Sequence, residues 1–254
     1  MQRNNVHWRV VAASVQGSSH IATGQPCQDA NHWAVLPDGT LVAAVADGAG
    51  STEFGGEGAR IAVLCAVDAV TSLAPAVWPS DIPAWRKFFN PVLEGARLGI
   101  TAAAAMQGRL PRDYATTLVV AVATADQVVA VQIGDGASVV SELNLPVQAL
   151  TIPVSGEFAN QTTFLTSPNA IDTAQIRVLQ TRATGVALLS DGLQMLALKI
   201  PPGIPHEGFF RPLLEFAGAG GDNPDAELAA FLGSPKVIGR TDDDVTLLLA
   251  VRTQ

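Results

Sequence analysis

Apolar residues fall along this chain in short runs of strand length, closed off by Gly, Pro or Asp. Such runs cover residues 8–15, 30–36, 40–46, 117–123, 127–133, 185–189 and 245–251. They are dense in Val and Leu and read as strands of a buried sheet. Residues 34–46 read as a hairpin turning on Pro37-Asp38-Gly39, and residues 117–133 as a second one around Thr124-Ala125-Asp126. Strands joined by such short turns predict antiparallel sheet and not a parallel array with helical crossovers.

Helical spacing takes over between the hairpins. In residues 58–73, Ala59, Ala62, Val63, Ala66, Val67 and Val70 share one face. Residues 83–106 carry Phe88, Val92, Leu93, Ala96 and Ile100, and Pro91 is expected to start or kink that helix. Later helices are expected over 206–216 and 224–232, the second with Asn223 as cap and Pro224 in its first turn. The order of elements gives an α+β class in a single domain spanning 1–254, with 141–184 as a loop-like surface excursion.

Composition narrows the function. Of 254 residues, 48% are hydrophobic and 15% charged, enough to bury a sizeable core. A formal charge of -8 and the lack of a Lys/Arg cluster exclude general nucleic-acid or anionic-membrane binding. Cys27 and Cys65 support neither a disulfide framework nor a four-thiolate zinc site, and read as buried small side chains. The apolar stretch at residues 10–15 is too short for a signal-peptide core, and no window reaches the roughly 18 apolar residues of a membrane span. These features predict a cytoplasmic protein.

The candidate chemistry is carboxylate chemistry. Asp47 ends an apolar run and opens Gly48-Ala49-Gly50-Ser51, Asp191 does the same in Ser190-Asp191-Gly192, and Asp242-Asp243-Asp244 precedes the last strand. Asp29 and Asp135 stand at further strand ends. A carboxylate there is rigidly aimed yet reachable, and several together suit a hard divalent cation held by oxygen. The competing motifs are absent: no Gly-x-Ser-x-Gly elbow, no phosphate loop ending in Lys-Ser/Thr, and no His or Cys spacing for zinc.

In order, Gln28-Asp29, Asp47-Gly48-Ala49-Gly50-Ser51, Ala115-Thr116-Thr117-Leu118, Gly134-Asp135-Gly136, Ser190-Asp191-Gly192-Leu193 and Asp243-Asp244-Val245-Thr246 resemble the metal-dependent Ser/Thr phosphatases of the protein phosphatase 2C type, in a compact bacterial branch. The resemblance implies a four-layer α-β-β-α sandwich with two central antiparallel sheets. It also implies two Mn2+ or Mg2+ ions: Asp47 bridging both, the Gly48 carbonyl on one, Asp191 and Asp243 on the other, and Asp29 acting through water. Asp135 would mark a third, weaker metal site. The implied reaction is hydrolysis of phosphoserine or phosphothreonine in proteins by a hydroxide between the ions, in a monomer partnered with a Ser/Thr kinase or its target.

The chain departs from the family pattern in places. Ala49 stands where many relatives have His, the usual phosphate-gripping Arg before Asp29 is missing, and Met195 replaces an acid. His20 is the nearest candidate for holding substrate phosphate. Residues 141–184 occupy the place of a flap over the cleft. Two alternatives follow: a catalytically degenerate binding or sensing module, and a hydrolase of small phosphoesters on the same fold.

Overall fold

In the computed structural model, residues 7–153 and 162–253 are described. The strands are β1 His7–Val15, β2 Asp29–Val35, β3 Leu41–Asp47, β4 Leu118–Ala123, β5 Val128–Ile133, β6 Ala137–Ser141, β7 Gln148–Thr151, β8 Gln175–Leu179, β9 Gly185–Leu189, β10 Leu198–Lys199, β11 Ile204–Pro205 and β12 Val245–Thr253. The helices are α1 Ser18–Thr23, α2 Gly55–Leu73, α3 Ile82–Met106, α4 Gln194–Ala197, α5 Glu207–Ala219, α6 Pro224–Leu232 and α7 Pro235–Ile238.

Two five-stranded antiparallel sheets, ordered β1-β12-β9-β6-β7 and β2-β3-β4-β5-β8, lie face to face. Strand alternation explains how they stack. On β3, Val42, Ala44 and Ala46 face α2 and α3, while Leu41, Ala43 and Val45 face the other sheet. On β12, Leu247 and Leu249 pack under α5 and α6, and Leu248 and Ala250 point into the space between the sheets. A strand covered on both faces needs apolar side chains at every position, which is why these runs are continuous. The layers are therefore α-β-β-α, as the family resemblance implied.

Both expected hairpins are present, β2 with β3 and β4 with β5. Asn223 caps α6, its side chain accepting Ala226 N–H at 3.4 Å. Pro91 neither starts nor ends α3, which runs through it from Ile82 to Met106. The start belongs to Asp81, whose side chain accepts Ala84 N–H at 2.8 Å. Buried Trp85, Phe89, Val92 and Leu93 then anchor the helix on both sides of the proline.

Of the expected excursion 141–184, residues 154–161, the middle of the suggested flap, lie outside the described residues. The remainder contributes β7 and β8, one edge strand of each sheet. Cys27 and Cys65 are half-buried and not fully buried as expected; both are free thiols. No helix among the described residues is long and apolar enough to cross a membrane.

Candidate metal centre

The strand ends that carry the acidic residues meet at one end of the two sheets. Asp29 opens β2 directly opposite Asp47, the last residue of β3. Asp191 follows β9, and Asp243 precedes β12, its hydrogen-bonded neighbour. Carboxylate oxygens of Asp47, Asp135 and Asp191 lie within 4.8 Å of one another. Asp243 stands at the lip, its Oδ1 accepting Asp244 N–H at 2.8 Å. Its charge bears on both Asp47 and Asp191.

Ordinary hydrogen bonds fix the backbone beneath these groups. Asp47 N–H donates to Thr117 Oγ1 at 3.0 Å, and Asp47 O accepts from Thr116 Oγ1 at 2.9 Å and Thr117 N–H at 2.8 Å. Ala49 N–H donates to Ala115 O at 2.9 Å. The Ala115-Thr116-Thr117 motif thus clamps the turn after β3. Gly48 is required there, because a Cβ would stand 2.2 Å from the Gly55 carbonyl carbon. With its amide turned to match its neighbours, buried Gln28 donates to Gly48 O and Ala49 O, both at 3.2 Å.

Across the sandwich, Ser190 Oγ donates to Asp29 Oδ2 at 2.7 Å and accepts Thr246 N–H at 2.9 Å. One hydroxyl thereby ties β9, β12 and β2 together behind the site.

The electrostatics are those of crowded anions. Burial, opposed in part by hydrogen bonds from Ser190 and Thr246, pushes Asp29 up to about 7. Burial and the charges of Asp135 and Asp243 push Asp191 up to about 6. Asp47 is held well above the usual carboxylate range by burial, then by the charges of Asp29, Asp191 and Asp243. Each raised value reports a carboxylate that lacks a compensating positive charge. Asp29 Oδ1, Asp135 Oδ1 and Asp191 Oδ1 are buried without a hydrogen-bond partner. Orphaned, hard, anionic oxygens converging in this way fit divalent cations.

The comparisons with known proteins agree with that chemistry. The family model described as protein phosphatase 2C matches residues 16–233. The chain belongs to the protein phosphatase 2C family. It is 36% identical over 252 residues to Serine/threonine-protein phosphatase 3 of Escherichia coli K12, covering 96% of this chain and 98% of that protein. Among solved structures, the catalytic domain of the serine/threonine phosphatase PstP in complex with two manganese ions has the same fold, with TM-score 0.62, 18% identity and coverage of 98% and 100%. So does the serine/threonine phosphatase Stp1 from Staphylococcus aureus, with TM-score 0.63, 16% identity and coverage of 96% and 95%.

Within this phosphatase fold, the residues expected to act at the site divide into groups. Asp47, Asp191 and Asp135 converge, with Asp243 beside them and Asp29 behind. Asp135 is in the same cluster as Asp47 and Asp191, its Oδ2 accepting the Thr162 hydroxyl at 2.7 Å. His20 lies on α1 in contact with Asp244 and not with a carboxylate of the cluster. Met195, in the place of an acid, is exposed.

Sequence reasoning missed three supports: Thr116 and Thr117 as a backbone clamp, Ser190 as the link to Asp29, and Asp244 as a buried hub. Asp244 is 2% exposed, so it is not one of the reachable strand-end carboxylates. The signal for the threonines and Ser190 was a polar side chain at the very end of an otherwise apolar run.

Proposed function

We propose that this protein is a metal-dependent phosphatase acting on phosphoserine and phosphothreonine in proteins. The observation that carries the reading is the convergence of Asp47, Asp135 and Asp191 within 4.8 Å, with an Oδ1 of Asp135 and of Asp191 buried and unpartnered. The family membership adds the reaction class.

Asp47, Asp191 and Asp243, with the Gly48 carbonyl, would hold Mn2+ or Mg2+, as two ions; Asp135 would belong to a third, weaker site. Such ions supply Lewis acidity, which neutralises phosphoryl charge and makes nearby water more acidic. The chain's own work is positioning. The Thr116–Thr117 clamp holds Asp47 on β3, and Gln28 turns the Gly48 and Ala49 carbonyls to one side. Ser190 keeps Asp29 aimed at the cluster, where its free oxygen can orient a water for attack opposite the departing side-chain oxygen. The partner is accordingly a phosphoprotein, and with it a Ser/Thr kinase or its target.

The test is phosphate release from a phosphothreonine peptide and from p-nitrophenyl phosphate with and without Mn2+. Both reactions should require metal and be lost in Asp47→Asn and Asp191→Asn. Metal-dependent turnover that survives both substitutions overturns the site. Tight Mn2+ binding with no turnover on either substrate supports a sensing module instead, and turnover of small esters alone supports a small-molecule hydrolase.

A further inference from the structure

Asp244 is the one carboxylate of the 242–244 run turned away from solvent, and it gathers the N-terminal segment. Its Oδ1 accepts Gly17 N–H at 2.6 Å and its Oδ2 accepts Gln28 N–H at 2.5 Å. His20 Nδ1 stands 2.8 Å from the same Oδ2, with the two side chains 8% and 1% exposed. The ring N–H axis runs off this line, so the contact is a close polar approach and not an aligned hydrogen bond.

The other ring nitrogen is uncommitted. Nε2 carries no hydrogen bond from the described residues and faces the turn after β3, where a Cβ on Gly50 would stand 3.6 Å from it. Gly50 has no such atom, so the loop that starts at Asp47 passes close to Nε2. His20 is the imidazole nearest that loop among the described residues. His7 and His206 are exposed elsewhere, and His32 lies further along β2, paired with Ala44.

The chemistry needs such a group. A serine or threonine alkoxide is a poor leaving group, and its departure is eased by a proton donor. Carboxylates committed to cations cannot donate, and Ala49 beside Gly48 has nothing to give. We propose that His20 is the general acid of this phosphatase, delivering the Nε2 proton to the departing Ser or Thr oxygen while Asp244 holds the ring. The proposal rests on the phosphatase reading above. In the step, the bond from phosphorus to the side-chain oxygen breaks with its electron pair left on that oxygen, which takes the Nε2 proton. A water oxygen forms the new bond to phosphorus, its proton passes to solvent, and neutral His20 is reprotonated from solvent. The products are the free hydroxyl side chain and inorganic phosphate. Asp244 acts through His20 and is a positioning residue.

The experiment compares leaving groups. Wild type, His20→Gln and Asp244→Asn, each saturated with Mn2+, are assayed on a phosphothreonine peptide and on aryl phosphates from p-nitrophenyl to phenyl. Nitrophenolate departs without a proton; threonine does not. His20→Gln should lose about 100-fold or more on the peptide, and under about tenfold on p-nitrophenyl phosphate, so that rate falls more steeply with leaving-group basicity. Asp244→Asn should shift the same ratio in the same direction. Equal losses on both substrates, the mark of a phosphate grip or a structural residue, overturn the proposal, and so does no loss on either. Calorimetry with Mn2+ reports whether each variant is folded and loaded. If His20→Gln does not fold, the wild-type slope decides: a shallow dependence on leaving-group basicity supports His20, a steep one overturns it. Failure of the phosphatase reading is a different result, a wild type that releases phosphate from none of these esters.

Discussion

Asp29 and Asp47 face each other directly across the β2–β3 pair, two carboxylates on neighbouring strands at the same end of one sheet. Like charges placed opposite in a ladder destabilise it. Such an arrangement is tolerable when the cost is offset by something outside the chain, and a divalent cation is the ion these oxygens suit.

That cost has a pH signature in the metal-free protein. Asp29 is raised from 3.8 to about 7 and Asp191 to about 6. A raised carboxyl value means that the folded state keeps protons which the unfolded chain releases. Stability is then fully present below the unfolded value and is lost as pH rises through the folded one. In EDTA, the melting temperature should fall between about pH 4.5 and about pH 7.5, once acid unfolding has been passed. Added Mn2+ should restore more stability at the upper end. A melting temperature that climbs with pH across this window, with metal absent, contradicts the assignment of the raised values.

Thr117→Val keeps the side-chain shape and removes the acceptor of the Asp47 N–H, at 3.0 Å in the native protein. An orphaned buried amide costs about 1–3 kcal/mol. Urea unfolding should show a loss of that size. Turnover should also fall, because the Asp47 backbone loses one side of its clamp. Full activity alongside the stability loss would mean that the clamp serves the fold alone.

Gly192→Ala tests how closely the Asp191 turn approaches the last strand. A Cβ there would stand 2.1 Å from the Asp244 carbonyl oxygen, so one backbone must move. Overpacking of this kind costs about 1–3 kcal/mol. The shift separates Asp191 from Asp243, so Mn2+ affinity by calorimetry should weaken together with stability. Unchanged affinity would place the two carboxylates on different ions.

Ser190→Ala removes the hydroxyl that donates to Asp29 Oδ2 at 2.7 Å and accepts from Thr246 N–H at 2.9 Å. Loss of both bonds should cost about 2–3 kcal/mol in urea unfolding, since two buried groups lose their partner. Phosphate release should slow through kcat more than KM, because Asp29 loses its aim and substrate binding is untouched. A change confined to KM would detach Asp29 from the chemistry.

Most of the architecture was legible because strands buried on both faces cannot hide. The runs ending at Ala46, Ala123, Ile133 and Leu189 are apolar at nearly every position, and their turn residues fix the hairpins. The edge strands β7 and β8 were not legible for the converse reason. β8 reads Gln-Ile-Arg-Val-Leu with only Ile176 buried, and β7 has four residues. Short, half-exposed strands carry little periodicity. At the site, the aspartates were legible from their place at strand ends, but their supports were not. Gly17 and Asp244 are hydrogen-bonded across almost the whole chain, and only the closed sandwich brings them together. Asp135 was expected at a third, weaker site; its nearness to Asp47 and Asp191 depends on β6 following β5 across from one sheet to the other.

Anomalous diffraction from crystals grown with Mn2+ tests the central claim most directly. The predicted result is manganese peaks liganded by Asp47, Asp191 and Asp243, with the Gly48 carbonyl on one of them. Manganese bound elsewhere, or a cluster in which Asp47 touches no metal, would contradict it.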